Sequence, residues 1–212
     1  MKKTILIFLL TFGIFANAFS GESFGFFGVT LDAEVIQSEK LANLNSDKYG
    51  TYFLPGIQFG VDFFQTKWPL GFHIDGSFLV HLPTKDQTSI FSAETITFCA
   101  KTLAGPVLRA GNVLFLTVGG SAGLNYCDSW TTKTRIGSYE YKETHSLFQA
   151  YLGVGAELKL WIAQTICFGA NFNYYPLCSS TLYSKSTKNK IDFQERTTMF
   201  RGGIFIAIMF PM

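Results

Sequence analysis

Apolar residues in this chain are abundant, yet they alternate with polar or small residues instead of clustering, and that alternation limits what the chain can become. In residues 57–63, Ile57, Phe59, Val61 and Phe63 alternate with Gln58, Gly60 and Asp62. Residues 70–82 repeat the pattern, with Leu70, Phe72, Ile74, Phe78, Val80 and Leu82 against Gly71, His73, Asp75, Ser77 and His81. A period of two places the two sets on opposite faces of a strand, whereas a helix needs a period near 3.6. The same alternation recurs over residues 114–125, 148–159, 165–174 and 200–210, and a first strand is expected over residues 24–35. Residues 90–109 form a less regular fourth strand, in which Gly105-Pro106 is expected to mark a bulge, because proline cannot donate to a ladder.

Hydrophobic residues make up 48% of the 212 positions and charged residues only 15%, against roughly 25% charged in soluble domains. With 23 phenylalanines, such a chain has little to show to water. Either it hides an unusually large core or much of its surface faces lipid. No uninterrupted apolar run after Ala18 reaches the roughly 20 residues of a membrane-spanning helix. Strands must therefore do any crossing.

The N-terminus reads as a secretory leader. Lys2 and Lys3 begin it, Ile5 to Phe15 form its apolar stretch, and Ala16-Asn17-Ala18 ends it with small residues at alternate positions. Cleavage is expected after Ala18, leaving residues 19–212 as the mature domain. The formal charge of +2 then falls to 2 − 2 = 0 on loss of Lys2 and Lys3, so charge gives no case for nucleic-acid binding.

The connections alternate in kind. Tight turns follow strands two, four and six, at Trp68-Pro69, Ala110-Gly111-Asn112 and residues 161–164. Long polar stretches follow strands one, three, five and seven, at residues 36–48, 83–89, 127–144 and 179–195. Short turns on one rim and long loops on the other are the habit of transmembrane barrels. Aromatic residues gather at both rims: Trp68, Trp161 and Phe210 at the short-turn end, and Tyr49, Tyr52, Tyr126 and Tyr174 at the long-loop end. Rings with a polar edge suit headgroup depth. The fold expected is all-β, an eight-stranded antiparallel up-and-down barrel, with its small polar face inward and its apolar face in lipid.

That inward face carries Asp62, His73, Asp75, Glu94, Lys101, Arg109, Glu157, Lys159 and Arg201. Eight strands leave room for little beyond side chains, so these groups read as a buried ion and hydrogen-bond network. The sharper alternative is a polar path for solutes. Cys127 and Cys178 stand where strands five and seven give way to outer loops, the pair placed for a possible disulfide in an oxidising compartment. Cys99 and Cys167 read as packed residues, and no cysteine spacing suits zinc. No metal and no cofactor are expected.

The pattern as a whole resembles the small eight-stranded outer-membrane proteins of the OmpX, OmpA-transmembrane and OmpW kind. The closing segment 200–210 resembles the aromatic-ended strand read by the outer-membrane assembly machinery, although Pro211 and Met212 follow Phe210. The resemblance implies a bacterial outer-membrane location, with that machinery and membrane lipid as partners. The OmpW likeness implies a narrow channel or lateral conduit for small or hydrophobic solutes. The alternative is a non-conducting barrel whose outer loops bind a surface ligand. A third reading, a lipid-modifying enzyme, would draw on His145 and Ser146, but strand neighbours point to opposite faces and cannot form a dyad. No enzyme is expected.

Overall fold

The structure is a computed structural model that describes residues 21–38, 49–65, 68–81, 91–93, 96–111, 113–136, 139–162, 165–185, 190–193 and 197–212. The expected leader, residues 1–18, lies outside them. Among the described residues there are ten strands: β1 (Glu22–Ser38), β2 (Tyr49–Phe64), β3 (Leu70–His81), β4 (Phe91–Ala93), β5 (Thr97–Ala110), β6 (Leu114–Ile136), β7 (Tyr139–Ile162), β8 (Ile166–Ser184), β9 (Lys190–Phe193) and β10 (Thr197–Pro211). Eight of them pair antiparallel in sequence order, β1-β2-β3-β5-β6-β7-β8-β10. The last returns to the first from Phe24↔Pro211 to Ser38↔Thr197. The sheet is closed, as a bilayer requires of any spanning strand assembly.

Alternation decides the two faces. Phe27, Val29 and Leu31 on β1, Ile57 and Phe59 on β2, and Ile204, Ile206 and Ile208 on β10 are exposed. Their neighbours Thr30, Asp32, Gln58, Asp62 and Arg201 are buried. Among the described residues, no outward position on the crossing stretches of the eight strands carries a charge. A polar interior and an apolar exterior are the reverse of a water-soluble barrel and fit a lipid surround.

The tight turns fall where expected. Phe64 to Leu70, Ala110 to Leu114 and Ile162 to Ile166 join neighbouring strands at one rim. The first is closed by a hydrogen bond from the Trp68 amide to the Gln65 carbonyl, 2.9 Å. Gly111 takes φ +62° in the second, a left-handed conformation that costs a residue with a side chain roughly 1–2 kcal/mol.

The long-loop rim differs from expectation. Much of residues 127–144 continues β6 and β7 as a ribbon, paired from Trp130↔His145 to Ile136↔Tyr139. β6 and β7 therefore run 23 and 24 residues, more than twice the 9–11 needed to cross a bilayer. Within residues 179–195, β8 continues to Ser184 and β9 pairs back onto it. β4, the start of the expected fourth strand, leaves the barrel path and pairs with β6 at residues 130–132.

The expected bulge at Gly105-Pro106 is absent. The β5–β6 register is the same on both sides, Ala104↔Gly120 and Val107↔Thr117, so the ladder is interrupted there without slipping. The register instead shifts between β7 and β8, where Leu152↔Leu177 gives way to Val154↔Tyr174. The extra residues there include Pro176, which has no amide hydrogen to give a ladder. A second shift lies between Cys127 and Trp130, where the ribbon leaves the barrel.

Burial of the apolar belt in lipid predicts a depth-dependent response to charge. Ile204 is 65% exposed near the middle of β10, and Phe53 is 66% exposed near the long-loop end of β2. Ile204→Arg should lower unfolding stability in vesicles by about 2–4 kcal/mol, and Phe53→Arg by about 1 kcal/mol or less. Denaturant titration of the refolded barrel measures both.

Candidate functional site: charge layers inside the barrel

The inward side chains stack in layers along the barrel axis. At the short-turn end Phe24, Phe26, Phe64, Val107, Phe115, Cys167, Phe205, Ala207 and Met209 form an apolar cluster. Edge contacts between Phe24, Phe64 and Phe115 bind it, with ring centroids 5.8–6.1 Å apart. Arg109 lies beneath, its guanidinium 4.7 Å from the Phe64 ring centre and paired with Glu22 at the mouth.

Above this plug Asp62, His73, Asp75, Glu157, Lys159 and Gln58 converge from β2, β3 and β7. Asp62 accepts from Lys159 Nζ at 2.5 Å and faces His73 Nδ1 at 2.7 Å. Gln58 Nε2 donates to Asp75 Oδ2 at 2.9 Å and to Glu157 Oε2 at 2.5 Å, and the Leu103 amide donates to Asp75 Oδ1 at 2.8 Å. The Phe26 ring stacks on His73 from below at 6.0 Å, and Lys159 Nζ lies 4.4 Å from the centre of that ring.

Two further layers follow. Lys101 pairs with Asp32 and donates to Asn171 at 2.8 Å, while the Thr30 hydroxyl donates to Asp32 at 2.7 Å. A Cβ on Gly203 would come within 2.1 Å of the Asp32 carboxylate, so glycine there makes room for the ion pair. Nearer the outer rim, Arg201 pairs with Glu34 and donates to the Tyr151 hydroxyl at 2.8 Å. That hydroxyl donates on to Asn125 at 2.9 Å, and the Tyr175 hydroxyl meets Ser121 at 2.8 Å.

Of the nine charges expected inside, Asp62, His73, Asp75, Lys101, Glu157, Lys159 and Arg201 meet in these layers, and Arg109 seals the mouth. Glu94 lies outside the described residues. Asp32 and Glu34 were missed, although counting by twos from Phe27, Val29 and Leu31 puts both on the inner face.

The aromatic rims are only partly as expected. Trp68, Tyr126 and Phe210 are exposed, and Tyr174 stacks on Phe200 at 4.9 Å. Trp161 belongs instead to the interior, its ring 5.1 Å from that of Phe24. It shares the face of Lys159 two residues earlier, so it thickens the plug. Tyr49 and Tyr52 lie at the outer end of β2, opposite Gln37 and Glu34.

The possible bridge between Cys127 and Cys178 is not formed, and no disulfide links any of the four cysteines. Cys127 pairs with Leu147 on one side of β7, and Cys178 with Tyr151 on the other. One intervening strand and a four-residue offset separate them by more than about 10 Å, whereas a disulfide needs Cα atoms within about 7 Å. Ser146 donates to the Asp128 carbonyl at 2.9 Å, while the adjacent His145 is buried.

The chain matches no family model and no curated protein sequence. Ail, the attachment invasion locus protein of Yersinia pestis, in a complex with the heparin analogue sucrose octasulfate, superposes with a TM-score of 0.53 at 9% identity, over 90% of this chain and 99% of Ail. The fold is that of the small outer-membrane β-barrels. Neisserial surface protein A aligns over 87% of this chain and 96% of its own length, with a TM-score of 0.47 and 11% identity. The Escherichia coli outer-membrane protease OmpT aligns over 90% and 97%, with a TM-score of 0.31 and 6% identity.

Two outcomes follow. Lys101→Met leaves the Asp32 carboxylate buried without its cation and should cost about 3–5 kcal/mol in vesicle unfolding. Adding Asp32→Asn, which still accepts from Thr30, should restore more than half of that loss. The folded barrel should also run with the same gel mobility with and without reductant, and titration of the unfolded chain should count four thiols.

Proposed function

We propose that the chain resides in a bacterial outer membrane, after loss of leader residues 1–18, as a non-conducting barrel that presents a long β-ribbon to a protein partner at the cell surface. The observation that carries this reading is the filled lumen. Phe64, Phe115, Asp62, His73, Lys159 and Arg201 are each 0% exposed, and together they span the interior from the short-turn end to the upper ion pair. A channel or conduit for solutes would need a path past all of them.

The ribbon supports the second half of the reading. Carrying β6 and β7 a dozen residues past the bilayer requirement makes a stiff projection where a plain barrel needs only a turn. β4 broadens its base by pairing with residues 130–132, and β9 extends the sheet beyond β8. Lys185, just after β8, ties to it through a hydrogen bond from its backbone amide to the Thr144 carbonyl at 3.1 Å and an ion pair with Asp128 at 2.9 Å. The hydrogen bond and charge of Lys185 hold the exposed Asp128 carboxyl below its ordinary range.

Residues 127–144 carry Lys133, Arg135 and Lys142 against Asp128, Glu140 and Glu143, and residues 179–195 carry Lys185, Lys188 and Lys190 against Asp192 and Glu195. Neither sign dominates. Ail was crystallised with a heparin analogue, but balanced charge here favours a mixed protein surface over a sulfated polyanion. Phe210 at the end of β10 remains the segment that fits recognition by the assembly machinery.

Planar-bilayer recording tests the non-conducting half. The refolded barrel should show no discrete openings at low or high salt. Openings whose size changes on Arg201→Ala would overturn the reading in favour of transport. Protease treatment of intact cells tests the other half: cleavage should fall at Lys133, Arg135 or Lys142 and leave the barrel strands protected.

A further inference from the structure

The charge count of the middle layer does not close. Asp32 is matched by Lys101 and Glu34 by Arg201. Asp62, Asp75 and Glu157 are left with Lys159 alone, a formal −3 + 1 = −2 with His73 neutral. All five groups are buried, and uncompensated charge at such a depth is costly.

We propose that His73, Asp75 and Glu157 bind one first-row divalent cation inside the barrel. Their donor atoms lie within 4.8 Å of one another. His73 Nε2 stands 3.4 Å from Asp75 Oδ2 and 3.7 Å from Glu157 Oε1. Nitrogen and oxygen ligands on a tetrahedral ion at about 2.0–2.1 Å lie about 3.3–3.4 Å apart, so Asp75 Oδ2 already stands at ligand spacing from the ring nitrogen, and Glu157 Oε1 stands a few tenths of an ångström farther off. His73 Nε2 and Glu157 Oε1 are both buried without a hydrogen-bond partner and stand 3.7 Å apart.

The surroundings are those of a metal-binding histidine. Its other ring nitrogen, Nδ1, faces the Asp62 carboxylate at 2.7 Å, the contact that fixes the tautomer and turns the lone pair of Nε2 toward an ion. Gln58 holds one oxygen of each ligating carboxylate through its amide nitrogen. Lys159 lies 3.5 Å from Glu157 Oε1 and 3.2 Å from His73 Nδ1, and it supplies the one positive charge already counted. A divalent ion brings the layer to zero. One imidazole and two carboxylates suit zinc and its neighbours better than magnesium, which prefers oxygen alone.

The test uses the barrel without a polyhistidine tag, refolded from denaturant in the presence of Zn²⁺, so that the ion enters before the lumen closes, and then freed of unbound metal. Elemental analysis should find about one zinc per chain, and zinc should raise the unfolding temperature. In Glu157→Gln and in His73→Gln, each checked for folding by its heat-dependent gel mobility, the zinc content should fall by at least about tenfold. The double variant His81→Ala/His145→Ala, which removes the other two histidines, should keep it. Zinc far below one per chain, or zinc that survives Glu157→Gln, would overturn the proposal. A zinc-free barrel whose stability varies steeply with pH would also overturn it, and would show that protons neutralise the layer instead.

Discussion

Everything in this molecule depends on the ladder between β1 and β10. A bilayer offers no water to an unpaired amide or carbonyl, so a spanning sheet must have no free edge. Pairing residues 24–38 with 197–211 removes both edges, and all else follows from that closure. Once the sheet is a cylinder, every second residue is committed to lipid and the others to a narrow interior. A one-residue slip at the seam would turn either Asp32 with its strand or Arg201 with its strand outward, and this penalty keeps the register in place.

The interior then has its own problem. It is too narrow for water in bulk, yet the residues that alternate with the lipid-facing set include carboxylates and cations. The chain answers by sorting them. An aromatic plug takes the short-turn end, paired ions take the middle, and a tyrosine–arginine–asparagine layer takes the outer end. Each layer draws on strands far apart in sequence: Lys159 reaches Asp62, and Arg201 reaches Glu34. Such contacts form only when the barrel is complete, so the network makes closure cooperative.

Closure, facing and the alternation of tight and long connections were legible in the sequence because a period of two maps directly onto two faces. The failures have physical causes. β1 hid Asp32 and Glu34 because its apolar residues occupy both faces, Phe24 and Phe26 inward and Phe27, Val29 and Leu31 outward. The same rule, apolar means lipid, concealed the plug and placed Trp161 at the wrong interface. The ribbon escaped notice because its sequence carries no sustained hydrophobic period, and its Thr, Lys and Glu read as loop. Convergence of His73, Asp75 and Glu157 depends on the cross-barrel distance between β3 and β7, which no linear pattern encodes.

The central claim is that the lumen is solid. Single cysteines placed at Thr117 and Ser121, both buried, in a barrel otherwise free of cysteine, test it in lipid vesicles with a small charged thiol reagent applied from either side. The account predicts no labelling at either position in the folded barrel and rapid labelling of a control cysteine at the exposed Lys185. Labelling of the lumen cysteines at a rate near that of the control would mean that water and solutes reach the interior, and the account of a filled, non-conducting barrel would be wrong.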